Sequence, residues 1–221
     1  MVLRAMSGWG RARSFTGLCA LTLAAGSAIT AGLATAPAVL AAPEPDPVPR
    51  RWELQIEPGP LRSATIDVPN YGPRKFFYMT YRVINNSGQD LLFAPAFELA
   101  DGDGHLIRSG RDVPQYVTQE LLQSTQNPFI QDQISIIGEF LQGSENAKDG
   151  LVIWPAIDLN PSSLTVYAAG FSGETKAVPT PDGKDKFILR KTLRLDYDTP
   201  GDLTQKRSEP IPLRSKNWIM R

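Results

Sequence analysis

Apolar and polar residues alternate along most of this chain with a period of two. Trp52, Leu54 and Ile56 alternate in WELQIEP, and Phe77, Met79, Tyr81 and Val83 do so in KFFYMTYRVINNSG. The NNSGQD run that follows is made of turn residues. Leu91, Phe93, Phe97 and Leu99 come next in LLFAPAFELA, then the apolar runs LVIWPAI and LTVYAAGFSG. In FILRKTLRLDY, Phe187, Leu189, Leu193, Leu195 and Tyr197 share one face, and PLRSKNWIMR ends the series with Trp218 and Met220. This pattern predicts strands that each bury one side. The last strand is expected to complete a sheet, with Trp218 buried.

Between Val113 and Leu141 the period changes. Val113, Val117 and Leu121 are spaced by four, as are Ile130 and Ile134, with Ile137 and Leu141 continuing that face. The spacing predicts two short amphipathic helices over 113–141, split by STQNP. Strands interrupted by one helical crossover predict a mainly β fold, a single antiparallel β-sandwich of immunoglobulin-like architecture. No strand–helix–strand alternation is sustained, so a parallel α/β sheet fits poorly. The crossover and the adjoining stretch Gln142–Gly150 are the least regular part of such a fold. That is where a contact surface is expected first, although helices that only cap the sheets would give the same pattern.

The N-terminus changes the picture of where this domain works. Arg4, Arg11 and Arg13 precede an uncharged run, Leu18 to Ala42, rich in Leu, Ala, Thr and Gly. Small residues at Val39-Leu40-Ala41 and a proline-rich APEPDPVPRR complete the layout of a secretory signal peptide. The expected division is a signal peptide over 1–41, a proline-rich linker over 42–51 and a sandwich domain over 52–221. The uncharged run is long enough to span a bilayer, so an uncleaved anchor is the alternative and the one route to the membrane. Arg11 and Arg13 are not adjacent, and Cys19 stands at the start of the apolar run, so twin-arginine and lipoprotein signals fit poorly. Export to the periplasm or beyond is the expectation.

Removing 1–41 leaves 180 residues, enough for one domain with its own core. It takes away three arginines and the only cysteine, so 23 basic residues against 23 acidic ones become 20 against 23, a net charge of −3. Without a basic stripe, nucleic acid is not an expected partner. Without cysteine, the exported domain is held by packing and not by disulfides.

Candidate chemistry is sparse. Gly170-Phe171-Ser172-Gly173-Glu174 approaches a G-x-S-x-G nucleophile elbow, but the second glycine comes one position early. The TKAVPTPDGKD that follows reads as a loop and not as the helix an elbow needs. The single histidine, His105, lies upstream in ADGDGHLI, which reads as a hairpin connection. Ser172 is therefore read as a turn serine, and no catalytic residue is expected. Asp101 and Asp103 resemble the start of a calcium loop, yet His105, Leu106 and Asp112 stand where an EF-hand needs an acid or amide, a glycine and a glutamate. Asp101, Asp103 and Asp112 remain weak calcium candidates beside the simpler reading of Asp-Gly turns. One histidine and two methionines after the signal segment do not make a zinc or copper ligand set. Glu139 and Glu145 read as a helix face and a polar loop, not as a glycosidase pair. Trp52, Trp154 and Trp218 would suit a carbohydrate platform, but aromatics on alternating strands are more often core.

RKTLRLDYDTPGD, the tryptophan-led WELQIEP, the YMTYRVINNSG strand, the GLVIWP segment and the terminal Trp-Ile-Met-Arg resemble a family of uncharacterised secreted bacterial proteins. The resemblance covers most of the chain after the signal segment. It implies an exported immunoglobulin-like sandwich with no assigned activity, and so no functional residues to carry over. The expected function is a non-catalytic binding module of the cell envelope whose partner is an envelope or extracellular protein, with no cofactor. A carbohydrate or small-ligand binder is the alternative, and a hydrolase fits less well.

Overall fold

A computed structural model describes residues 42–156, 159, 162–199 and 209–221, and Ala41–Arg221 forms a compact unit. The segment read as a signal peptide, with Cys19, lies outside the described residues. Among the described residues twelve strands and one helix follow in chain order: β1 (Gln55–Val68), β2 (Gly72–Asn85), β3 (Leu91–Phe93), β4 (Ala96–Ala100), β5 (Leu106–Arg108), α1 (Gln115–Ser124), β6 (Ile130–Asp132), β7 (Gly138–Phe140), β8 (Gly143–Pro155), β9 (Leu164–Ala169), β10 (Thr175–Pro179), β11 (Lys186–Tyr197) and β12 (Leu213–Met220). The fold is mainly β, as expected from the period-two pattern.

The first sheet has the order β1-β2-β8-β6, antiparallel except for the short β6, which runs parallel to β8. The second has the order β10-β11-β9-β4-β5, and β12 pairs with β11. Lys191 N–H bonds to Glu174 O while Arg190 N–H bonds to Arg221 O, so β9 and β10 follow one edge of β11 and β12 the other. A third, two-stranded sheet joins β3 to β7.

Alternation assigns each strand's inner face. Phe77, Met79, Tyr81 and Val83 of β2, with Val152 and Trp154 of β8, share one buried cluster with Phe97 and Leu99 of β4, Val166 and Ala168 of β9, and Leu193, Leu195 and Tyr197 of β11. The two larger sheets thus bury their inner faces in common. In β8 every residue from Gly150 to Pro155 is buried, because Leu151 and Ile153 point the other way, into a second cluster. There they meet Val68, Phe76 and the helix residues Val117 and Leu121. The continuous apolar run LVIWP is therefore a central strand covered on both faces.

Two expectations are corrected here. A single helix, α1, replaces the predicted pair, and the second predicted helix is instead β6, a turn and β7. Pro128 opens that stretch, and Asp132 closes a turn by accepting the amides of Ile134 (2.8 Å) and Ser135 (3.1 Å) and the Ser135 hydroxyl (2.6 Å). Gly138 then takes φ 150°, which a helix cannot contain. The buried residues are Ile136 and Phe140, while Ile134 and Ile137, which the helical spacing placed inside, are exposed. The second correction concerns Trp218, which is half-buried against the main cluster, whereas Met220 beside it is buried.

The second half of β1, and the strands β5 and β10, were not read from the sequence. β1 continues through Pro58 and Pro60 by shifting register between Pro58 and Leu61. It can do so because β1 is the edge of its sheet, where missing ladder donors are tolerated. Gly59 is required at that shift, since a Cβ there would lie 2.6 Å from Thr80 Oγ1 and 2.8 Å from its carbonyl oxygen. β10 lies where TKAVP was read as loop, paired with the first half of β11.

Candidate functional site

Ser172 falls in the irregular stretch between β9 and β10. Its hydroxyl accepts the amide of Glu174 at 3.2 Å, and the backbone around it is used by the N-terminal segment: Leu54 N–H donates to Phe171 O and Gly173 N–H to Trp52 O. Phe171 itself is fully buried among Tyr81, Phe93 and Phe97. Ser172 bridges Glu53, so the segment just before β1 pairs with the link between β9 and β10.

Asp101, Asp103 and His105 come together in the β4–β5 hairpin, with one ligand atom of each within 4.8 Å of the others. Asp101 has no exposed side-chain surface, and its Oδ1 accepts the amides of Asp103 (3.0 Å) and His105 (2.8 Å). Its Oδ2 faces His105 Nδ1 at 3.1 Å. Most of the acceptor capacity of Asp101 is therefore spent on holding the turn. Asp112 is outside this group; it adopts φ 58° before α1 and pairs with Arg111 at 3.7 Å. Of the three calcium candidates the fold joins the first two, with His105 and not Asp112 as the third.

The tryptophans separate. Trp154 is inside the core, while Trp52 and Trp218 are half-buried against its rim. Glu139 is on the outer side of the β3–β7 ladder, opposite Leu92, and Glu145 is in the first half of β8.

A charge cluster not singled out in the sequence lies beside Trp218. Lys191 is 4 % exposed, and its ammonium lies 2.6 Å from Glu53 Oε2, 3.4 Å from Glu174 Oε2 and 5.3 Å from the Trp218 ring centre. Neither carboxylate oxygen has an aligned hydrogen bond, so charge alone holds them to the ammonium. Lys176 extends the cluster to Asp46 at 2.8 Å, and Asp46 N–H donates to Glu174 Oε1. The Lys176 hydrogen bond holds the Asp46 carboxyl below its ordinary value and, in return, raises Lys176. The proline-rich segment over 42–51 is thereby tied to the body. The signal that could have found Lys191 is its place at an inward-facing position between Phe187-Leu189 and Leu193-Leu195, where a lysine needs a partner.

The most unusual surface belongs to the stretch between α1 and β8. In the β3–β7 ladder Phe93 and Phe140 point inward and stack at 5.2 Å, so Leu92, Ile137 and Leu141 face outward around Glu139. All three are exposed, as are Phe129 (81 %) and Ile134 (73 %) on either side of β6. Fixed polar groups hold this platform. Asn85 is fully buried; its amide donates to Phe140 O (2.8 Å) and Gln89 O (2.9 Å), and its oxygen accepts from Ser87. Lys148 lies over the Phe140 ring and donates to Ile136 O at 3.2 Å, and burial lowers its pKa. Beside the platform a groove of about 560 Å³ runs between α1 and the Asp132 turn. Leu151 and Ile153 form its floor, Gln115, Gln119 and Gln133 its rim, and Ile134 is shared with the platform. Large apolar side chains held outward on a rigid base are the usual mark of a contact surface. Among the described residues no helix is long and apolar enough to cross a membrane. No protein-family model matches this chain, and no curated protein or solved structure matches it either.

Proposed function

We propose that this chain is an exported, non-catalytic binding module of the cell envelope, built on an immunoglobulin-like sandwich, whose partner is an envelope or extracellular protein. The observation that carries this reading is the outward apolar set Leu92, Phe129, Ile134, Ile137 and Leu141. In water these side chains contribute nothing to the fold, whereas covering one large aliphatic or aromatic side chain is worth about 1.5–3 kcal/mol. The set lies within or beside the 113–150 stretch expected from the sequence to be the contact region. Export is supported by the arginine-flanked apolar run at the N-terminus, and N-terminal sequencing of the mature protein should return Ala42 as its first residue.

The test compares two proteins on the same envelope extract: the natural chain, and one carrying Phe129→Asp and Ile134→Asp. A protein retained by the first and lost from the second supports the reading. Equal retention by both, or retention by neither, contradicts it. Because both residues are exposed, melting temperatures should agree and exclude misfolding as the cause.

A further inference from the structure

The outer side of the second sheet carries a different kind of surface, and its register explains its shape. Inward positions on β4, β9 and β11 fix which residues face solvent. One outward row across the strands reads Arg108, Glu98, Tyr167, Arg194. The next reads Ala96, Ala169, Thr192. The third holds Arg190, on β11, beside Arg221. A row of small side chains thus lies between two rows of long ones, separated by about 13 Å along the strands. The result is a depression of about 620 Å³ lined by Ala96, Ala169, Thr192, Tyr167, Glu98 and the arginines 108, 190 and 221.

Its charge is one-sided. Arg221 lines the depression, stacked over Tyr167 at 4.2 Å and paired with Glu98, so that pair is neutral and held in place. Arg194 is drawn off to Asp196, 2.9 Å away. Arg108 and Arg190 are exposed and make no side-chain hydrogen bond or ion pair among the described residues. Two unpaired guanidinium groups therefore flank a floor of alanine methyls, in a chain whose acidic and basic residues balance at 23 each. A guanidinium offers a planar fork that matches an acidic group through two parallel hydrogen bonds.

We infer that this depression binds a small dianion, with one acidic group on Arg108, one on Arg190 and a short apolar body over Ala96 and Ala169. This site is independent of the apolar platform and would stand if that surface bound nothing. Calorimetric titration of the purified protein at low salt tests it, using the straight-chain diacids glutarate, adipate and suberate as probes. Hexanoate and inorganic phosphate serve as anions with a single acidic centre. One diacid is expected to bind at least ten-fold tighter than either control. Arg108→Ala and Arg190→Ala should each weaken it about ten-fold or more, a typical loss for a charge-assisted contact. Lys184→Ala, in the exposed turn between β10 and β11, should leave it unchanged. Absence of diacid binding, equal binding of a single-centre anion, or binding that survives both arginine substitutions would overturn the proposal.

Discussion

The outer faces of the two large sheets follow the same alternation and end in opposite environments. On the first sheet the outward residues are Val68, Phe76, Leu151 and Ile153, and α1 covers them with Val117 and Leu121. On the second they are Glu98, Tyr167, Arg194 and Asp196; no helix among the described residues packs on them, and only polar contacts such as Arg221 over Tyr167 lie there. The covered face draws its stability from apolar burial, which has no direction and does not depend on pH. The open face is held by directed contacts. Asp196 accepts from Thr165 of β9 (2.8 Å), Arg194 of its own strand (2.9 Å) and Ser215 of β12 (2.7 Å), linking three neighbouring strands. The difference shows that one β scaffold can hold one outer face by apolar burial and the other by directed polar contacts. The apolar platform lies where the chain leaves α1, beyond the reach of its cover.

Substitutions on the two faces should therefore differ in size and in pH dependence. Phe76→Ala on the covered face is expected to cost about 3–5 kcal/mol, because it opens a cavity between sheet and helix. Urea unfolding measures this, and a cost below about 1 kcal/mol would mean that the helix is not a true cover. Lys191→Ala, on the inner side of the open sheet, should cost up to about the same 3–5 kcal/mol by leaving Glu53 without its counter-charge and Glu174 with Lys176 alone, 3.7 Å away. The second substitution Glu53→Gln should recover part of that loss.

Asp196→Asn is a smaller change, expected at about 1–3 kcal/mol near neutral pH. Burial pushes the Asp196 carboxyl up, but the hydrogen bonds from Ser215, Thr165 and Arg194 outweigh it and leave its pKa below the ordinary value. A carboxyl depressed in the folded state stabilises above its unfolded pKa, and that contribution disappears as pH falls through the folded value. The difference in unfolding free energy between the natural chain and Asp196→Asn should thus be full at pH 6 and shrink below about pH 4. A difference that stays constant down to pH 2 would refute the role of the carboxylate. The smallest effect belongs to Phe129→Ser, which should leave stability within about 0.5 kcal/mol while removing part of the contact surface.

Much of this was legible in the chain. The inward residues of β2, β4 and the second half of β11 could be read directly, because strict alternation beside turn residues has few other interpretations; Phe187, read on the same face, is exposed where β11 pairs with β10 alone. The LVIWP run was legible as a strand but not as one covered on both faces, since a continuous apolar run does not say what lies on either side. The second helix failed for a definite reason. Ile130, Ile134, Ile137 and Leu141 fit a helical spacing, but Ile136 and Phe140 fit an alternating one, and the Asp132 turn with Gly138 decided for the latter. β1 was cut short by its own prolines, which only an edge position makes harmless. Lys191 stood out only as a lysine at an inward-facing position; its partners and the arginine-lined depression could not be read, since both depend on which strands become neighbours. The contact region was named from the sequence, yet as helix faces; its exposed residues include Ile134, Ile137 and Leu141, which were expected on the apolar face.

The central claim is that partner-protein recognition belongs to the platform beside β6 and not to the open outer face of the second sheet. Photo-crosslinking tests it most directly, with a benzophenone amino acid placed at Phe129 in one protein and at exposed Asn217 on the open face in another. Illumination in the native envelope should join a discrete protein to the position-129 probe and not to the position-217 probe. The same adducts from both positions, or adducts from position 217 alone, would contradict the account.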